Sequence, residues 1–356
     1  MDPVTQGALG AAAALSLQFK PQETKSKVAA VAVAGWIGGM AADLDVVIRS
    51  SSDPLLAVEF HRHFTHSLIF IPVGGLIVGL FLMALLFAKR RFSGSRDPAK
   101  FWDSTIFLAA TVGYATHGLL DACTSYGTQL LWPFSNLRVA WNNVGIIDPI
   151  PTSLWIAAAI VAFRMNDTLR ARRFIHICFA LGLIYLLFGV VQRERASSLQ
   201  LKLLTDRGIP IEKAERRVVK PTVLQVFLWR SIYEHEGRFV VDGLFLGLTS
   251  QRIYEGQSIE KLPRSTEVDS SRFERDLTRF DWFSDGWLAA MPNGESGLSR
   301  IGDMRYAFLP QEIRPLWGIE FDPNQPEKAV DFKNFRELRE GDAACYFNMM
   351  IGSDCT

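Results

Sequence analysis

Apolar residues are unevenly distributed along the chain. Up to about residue 191 they gather into long runs, whereas after residue 192 charged residues break every run before it reaches bilayer length. The runs occupy 3–17, 28–47, 67–88, 101–120, 149–163 and 174–191. The run at 67–88 is uncharged and long enough to span a membrane alone. The first, rich in Gly and Ala, predicts a short helix, tilted, re-entrant or spanning, whose small residues let neighbours approach closely. Gly35, Gly38 and Gly39 mark similar packing points in the second run.

The loops between these runs fall into two kinds. Three are basic: Lys20, Lys25 and Lys27; Lys89, Arg90, Arg91, Arg96 and Lys100; Arg164, Arg170, Arg172 and Arg173. They alternate with loops that carry Asp and His. Basic loops favour the cytoplasm, so all three can lie there together. The Asp and His residues, with Gln6, then share the opposite, outer face. That topology also sends the C-terminal part outside.

Beyond residue 192 the chain reads as soluble. Residues 198–217 have helical composition, while 223–230 and 238–248 are rich in β-branched and aromatic residues and predict strands. Further strand-like pieces lie at 305–309 and 318–321. The fold expected is an α-helical membrane bundle of about five to six membrane helices over 1–192. A small soluble mixed, mostly β domain follows over 193–356.

A net charge of +1 among 75 acidic and basic residues provides no basic stripe, which argues against nucleic acid as a partner. Cys123 and Cys178 sit in apolar surroundings and read as small core residues. Cys345 and Cys355 lie close together in the tail and can bridge in an oxidising compartment. The chain starts without the basic region of a secretory signal, so the first apolar run is expected to be retained.

Titratable side chains at the ends of membrane runs are costly and call for a function. Asp43 and Asp45 end the second run. Three of the six histidines fall within His61-Arg62-His63-Phe64-Thr65-His66-Ser67. His117 and Asp121 close the fourth run, and Asp148 precedes the fifth. His117 and Asp121, four apart, share one helix face, either as a hydrogen-bonded pair or as two ligands. Asp43 and Asp45, two apart, can aim at one ion only where the helix ends; otherwise they mark its solvated end. His63 and His66 can face together on a helix, or His61 and His66 can converge across a bend. Taken together, imidazoles and carboxylates are the ligand set of zinc and other divalent ions. So many donors allow more than one ion, and paired ions suit phosphoester hydrolysis. The chain has no Gly-x-Ser-x-Gly elbow and no Walker or dinucleotide glycine pattern.

Several stretches carry a resemblance: Asp2-Pro3-Val4-Thr5-Gln6-Gly7-Ala8-Leu9-Gly10, Asp43-Leu44-Asp45, the His61–Ser67 motif, and Gly113 to Asp121 with Ser125-Tyr126-Gly127. Trp132-Pro133-Phe134 and Ile147-Asp148-Pro149 complete the set. In this order they resemble the bacterial inner-membrane metal-dependent hydrolases, also labelled LexA-binding, inner-membrane-associated hydrolases. Phe283-Ser284-Asp285-Gly286-Trp287 and Asp303-Met304-Arg305-Tyr306 look like the C-terminal extension of a longer subgroup. The resemblance implies a multi-pass bacterial inner-membrane hydrolase whose ligands are Asp43, Asp45, His61, His66, His117, Asp121 and Asp148. Gln6 stands where some members have His, and His63 where a small residue is usual, so both rank lower.

The function expected is hydrolysis by metal-activated water, with zinc (one to three ions) or alternatively manganese. Asp45 or Asp121 would act as base, with His66 completing the catalytic set. A site at headgroup depth points to membrane lipids and to a lipid or lipid-linked phosphoester as substrate. The C-terminal domain is left to bind a protein partner. The competing expectation is a non-enzymatic membrane scaffold with a structural metal.

Overall fold

The computed structural model describes residues 1–19, 24–92, 103–165, 168–214, 216–263, 271–293, 297–336 and 338–355. Lys20, Arg96 and Lys100 of the basic loops, and the first two residues of the 101–120 run, lie outside them. The chain forms two compact units: Met1–Val46 with His61–Val190, and Val47–Phe60 with Val191–Thr356.

Helices α1 (Pro3–Gln18), α2 (Lys25–Ala41), α3 (Leu56–Phe60), α4 (Ile71–Phe92), α5 (Ser104–Cys123), α6 (Pro149–Arg164) and α7 (Thr168–Asp206) occur in that order. All but α3 contribute to the first unit. Among the described residues, four stretches are long and apolar enough to cross a membrane: Lys25–Val47, Leu68–Lys89, Ser104–Cys123 and Leu169–Asp206. Pro149–Arg164 is a shorter apolar helix. Two helices start alike, with an Asp-Pro pair. Asp2 caps α1 by accepting from Thr5 N–H, Asp148 caps α6 by accepting from Ile150 N–H, and a proline follows each where no N–H is needed.

The centre of this unit is built by backbone contact. A Cβ on Gly10 would fall 2.3 Å from the Gly35 carbonyl oxygen, and one on Gly113 only 2.1 Å from the same atom. Helices α1, α2 and α5 therefore meet where none of them carries a side chain. From Thr5 to Leu15, α1 is buried throughout. On α4 and α7, by contrast, Ile77, Phe81 and Leu187 are exposed, as lipid-facing residues must be. Gly113→Val is expected to force α5 away from α2 and cost at least about 1–3 kcal/mol, the usual penalty for overpacking. The check is thermal unfolding in detergent; an unchanged melting temperature would contradict the close approach.

Two apolar runs differ from their sequence reading. Residues 67–70 precede the helix, because Phe64–His66 and Leu68–Phe70 form 3-10 turns, with Pro72 in the first turn of α4. The run 174–191 and the start of 198–217 are one helix, α7. Nothing between them breaks it, and it stops just before Gly208 and Pro210.

The second unit contains β1 (Arg216–Pro221), β2 (Leu228–His235), β3 (Arg238–Leu246), β4 (Gln251–Tyr254), β5 (Ser258–Glu260), α8 (Arg272–Phe283), β6 (Leu288–Met291), β7 (Ser299–Asp303), β8 (Trp317–Phe321), β9 (Asp331–Asn334) and α9 (Asp342–Met350). They build two antiparallel sheets, β1-β2-β3-β4 with β5 also on β3, and β6-β7-β8-β9. His235 pairs with Arg238, so Glu236 and Gly237 form a two-residue hairpin loop, both with positive φ. Ile232, Phe239 and Val241 of the first sheet pack against Ala289 of the second and the neighbouring Trp287 and Met304. Ala196 and Leu199 of α7 cover Trp229, Leu244 and Leu246. Cys345 and Cys355 are disulfide-bonded, and Cys123 and Cys178 are buried free thiols.

The strand expected at 223–230 begins only at Leu228. Leu224 has positive φ, and the Gln225 side chain accepts from the Phe227 and Leu228 N–H groups, turning the chain first. The piece 305–309 is not a strand, because Arg305 turns inward. Its guanidinium donates to Asp303 (Nε–Oδ1 2.9 Å, Nη2–Oδ2 2.8 Å), to Asp285 Oδ2 (2.5 Å) and to the Phe283 carbonyl (2.7 Å). Trp317 Nε1 adds a bond to Asp303 Oδ2 at 3.1 Å. The two motifs 283–287 and 303–306 thus form one network around the buried Arg305. Helix α8 has a sequence signal that strand patterning obscures: Ser271 and Glu274 at capping spacing, followed by inward-facing Phe280 and Phe283.

Candidate metal centre

The centre is assembled on α5. His117 lies one turn beyond Gly113, where α2 touches α5, and Asp121 lies one turn further on. Where α2 passes Gly39 its backbone is exposed to α5, so the Gly39 carbonyl accepts from His117 Nδ1 at 2.5 Å. This bond fixes the tautomer and leaves Nε2 as a lone-pair donor. The 3-10 turn Ala42–Val47 then swings Asp43 and Asp45 off the helical path. Opposite, the 61–67 segment lies directly on α5. Tyr114 Oη donates to the Thr65 carbonyl at 2.8 Å, and a Cβ on Gly118 would fall 2.3 Å from the His66 carbonyl oxygen.

These placements bring Asp43, His66, His117 and Asp121 into one group able to hold a metal ion. His66 Nε2 lies 3.4 Å from Asp43 Oδ1 and 3.2 Å from Asp121 Oδ2. His117 Nε2 lies 3.3 and 3.5 Å from the same two oxygens. Four donors at zinc bond lengths occupy tetrahedron corners about 3.3 Å apart. His66 Nε2 and Asp121 Oδ2 are buried and make no hydrogen bond, a costly arrangement unless something else meets them. The donor set fits a divalent cation.

The ligand carboxylates are also met by cations of the protein. Asp43, Asp45 and Asp121 bring three negative charges. Arg62 Nε, 3.1 Å from Asp121 Oδ2, and the Met1 amino group, paired with Asp121 Oδ1, return two.

Asp43, Asp45 and His61 form a second group of suitable ligands, sharing Asp43 with the first. Asp45 also stands behind His66. Its Oδ1 meets His61 Nδ1 at 2.9 Å, and its Oδ2 accepts from Arg62 N–H (2.9 Å) and Thr65 Oγ1 (3.2 Å), with His66 Nδ1 3.4 Å away. A carboxylate on the far nitrogen of a ligand imidazole orients the ring and raises its basicity. Asp45→Asn is expected to weaken metal binding about 10–100-fold while the helices stay folded. Calorimetric titration with zinc checks this; unchanged affinity would leave Asp45 without that role.

Among the other sequence candidates, His63 lies tilted against Trp132, ring centroids 5.6 Å apart, and belongs to neither group. Asp148 also lies outside both. Besides capping α6 it accepts from Tyr185 Oη at 2.7 Å, and burial pushes its carboxyl up to about 6. Gln6 donates to Asp121 Oδ1 at 2.9 Å, supporting a ligand instead of acting as one. Arg62 was missed by the sequence reading. It is buried, has positive φ, lies over the Tyr126 ring and donates to Thr124 Oγ1 at 2.8 Å. Its signal was a lone cation inside a histidine motif, which periodicity cannot interpret.

The family model of YdjM inner membrane proteins matches residues 1–196, more than half of the chain and all of the site just described. Comparison with curated proteins and with solved structures returns no match. With several apolar helices and a His/Asp cluster able to hold a metal ion, the chain is a multi-pass inner-membrane protein and belongs to the YdjM inner membrane protein family.

Proposed function

We propose that this protein is a membrane-bound metal-dependent hydrolase acting on a lipid or lipid-linked phosphoester. The observation that carries the reading is the sharing of Asp43 between a closed group and an open one. Asp43, His66, His117 and Asp121 supply all four donors a tetrahedral ion needs. Asp43, Asp45 and His61 supply three and leave a position free. The Asp43 and His61 side chains are 20% and 25% exposed, whereas His66, His117 and Asp121 are sealed. Among the described residues of the ligand set, solvent would therefore reach an ion from the side of Asp43 and His61.

Bound there, a zinc or manganese ion would supply an acidified water and a counter-charge for a phosphoryl oxygen. Asp45 orients His66 and His61, Asp121 is held by Gln6 and Arg62, and one of these two carboxylates would act as base, because Asp43 is a ligand in both groups. Two features favour the outer face of the membrane: the alternation of basic loops and the Cys345–Cys355 bond, which suits an oxidising compartment. Burial of the closed group favours a second reading, a non-enzymatic scaffold tied together by a structural ion, with the antiparallel unit as partner binder.

The test is turnover of phosphatidate and polyprenyl phosphate by zinc- or manganese-loaded protein in detergent, beside Asp43→Asn. Hydrolysis by the loaded protein, absent in the variant, is expected. No turnover of either substrate, with a melting temperature that falls on chelation, would establish the scaffold reading.

A further inference from the structure

The family match ends at residue 196, so it says nothing of the antiparallel unit. The membership of that unit is informative. Val47–Phe60 packs with it, although this segment runs from the end of one ligand-bearing stretch, 43–45, to the start of the next, 61–66. It is an excursion closed at its base by Asp45, which meets both His61 Nδ1 and Arg62 N–H at 2.9 Å.

At its far side α8 holds it, with Arg272 Nη2 3.6 Å from Asp53 Oδ1 and Arg279 making the closer contacts. The Arg279 guanidinium, on α8, grips Asp53 with both terminal nitrogens (2.9 and 3.1 Å) and Glu59 Oε2 with Nε and Nη2 (3.1 and 2.6 Å). Behind it, nearly fully buried Asp276 accepts from Arg279 Nη1 at 3.2 Å. Asp276 is itself fixed by Arg272 Nε (3.0 Å) and the Val330 N–H (3.3 Å). A simple exposed ion pair contributes little. Here a planar fork satisfies two carboxylates, one at the middle and one near the end of the excursion, and is braced by a third. That geometry needs guanidinium and cannot be met by an ammonium.

We propose that Arg279 is a positioning residue for the metal centre. By fixing Val47–Phe60 it holds the two ligand-bearing segments at the spacing that lets Asp43 serve both ligand groups, and this is a role for the C-terminal unit. The inference rests on the metal-centre reading of the His/Asp cluster, so its test reads position and metal separately.

Arg279→Ala, Arg279→Lys and the double substitution Asp53→Asn/Glu59→Gln are made in the full chain. Hydrogen exchange is followed over residues 43–46 and 61–67, and zinc affinity by calorimetry. The double substitution leaves α8 intact, which guards against misfolding of the antiparallel unit. At least about tenfold faster exchange in all three variants is expected, with zinc affinity about tenfold weaker, as for loss of a supporting partner. Failure of Lys to restore protection marks the fork, not the charge, as the cause. Exchange within twofold of wild type in the double substitution would overturn the proposal. Faster exchange in a protein whose wild type binds no zinc would uphold the positioning and sink the metal reading instead.

Discussion

Alanine at both His66 and His117 is expected to remove bound zinc or manganese from the detergent-purified protein, with a loss of affinity of at least about 100-fold. That is the upper end of what losing a mere supporting partner costs, and these two imidazoles are donors themselves. They supply both nitrogens of the closed group, and each has its other nitrogen occupied, by the Gly39 carbonyl for His117 and by Thr65 and Asp45 for His66. With both rings gone, Asp43 and Asp121 keep their charge, but the cage loses half its corners. Elemental mass spectrometry of the wild type and the double variant reads the result directly. His63→Ala is the control, because that ring rests near Trp132 and belongs to neither ligand group. Equal metal in the wild type and the double variant would remove the closed group from consideration as the site.

The second large effect lies in the antiparallel unit. Arg305→Ala is expected to destabilise it by about 3–5 kcal/mol, the usual result of removing one partner of a buried ion pair. Asp303 and Arg305 are both almost completely buried, so the Asp303 carboxyl would lose its guanidinium partner and keep the bonds from Trp317 Nε1 and the residue 305 N–H. Burial alone would make the Arg305 guanidinium easier to deprotonate, but Asp303 beside it more than reverses this and keeps it charged. Denaturant unfolding followed by tryptophan fluorescence reads the change, since Trp287 and Trp317 flank the network. The paired substitution Asp303→Asn/Arg305→Met removes both charges and is expected to be milder than the single one. A loss below about 1 kcal/mol for Arg305→Ala would mean that the pair is not the buried tie described.

How much of this could be read from residues alone depended on the range of the interaction involved. The membrane runs, the Asp-Pro helix starts and the strand-rich second half follow from local composition, since apolar length and capping act within a few residues. Asp43, His66, His117 and Asp121 stood out for a related reason: polar groups at the ends of apolar runs are costly wherever they occur. The meaning of each was another matter. His66 and Asp121 are 55 positions apart in the chain yet 3.2 Å apart in space, because glycines at 10, 35 and 113 let three backbones touch. No periodicity encodes which backbones those are. Asp45 and Asp148 looked equivalent to Asp43 as carboxylates near apolar runs. Only the 3-10 turn after α2 and the Tyr185 hydroxyl separated an orienting group from a helix cap. The same limit applies in the second half, where Phe283 to Trp287 and Asp303 to Tyr306 read as two motifs until the Arg305 side chain joined them. Local sequence determined which segments enter the membrane and which side chains had to find partners. Tertiary packing alone decided what those partners were, since that depends on distances between segments remote in the chain.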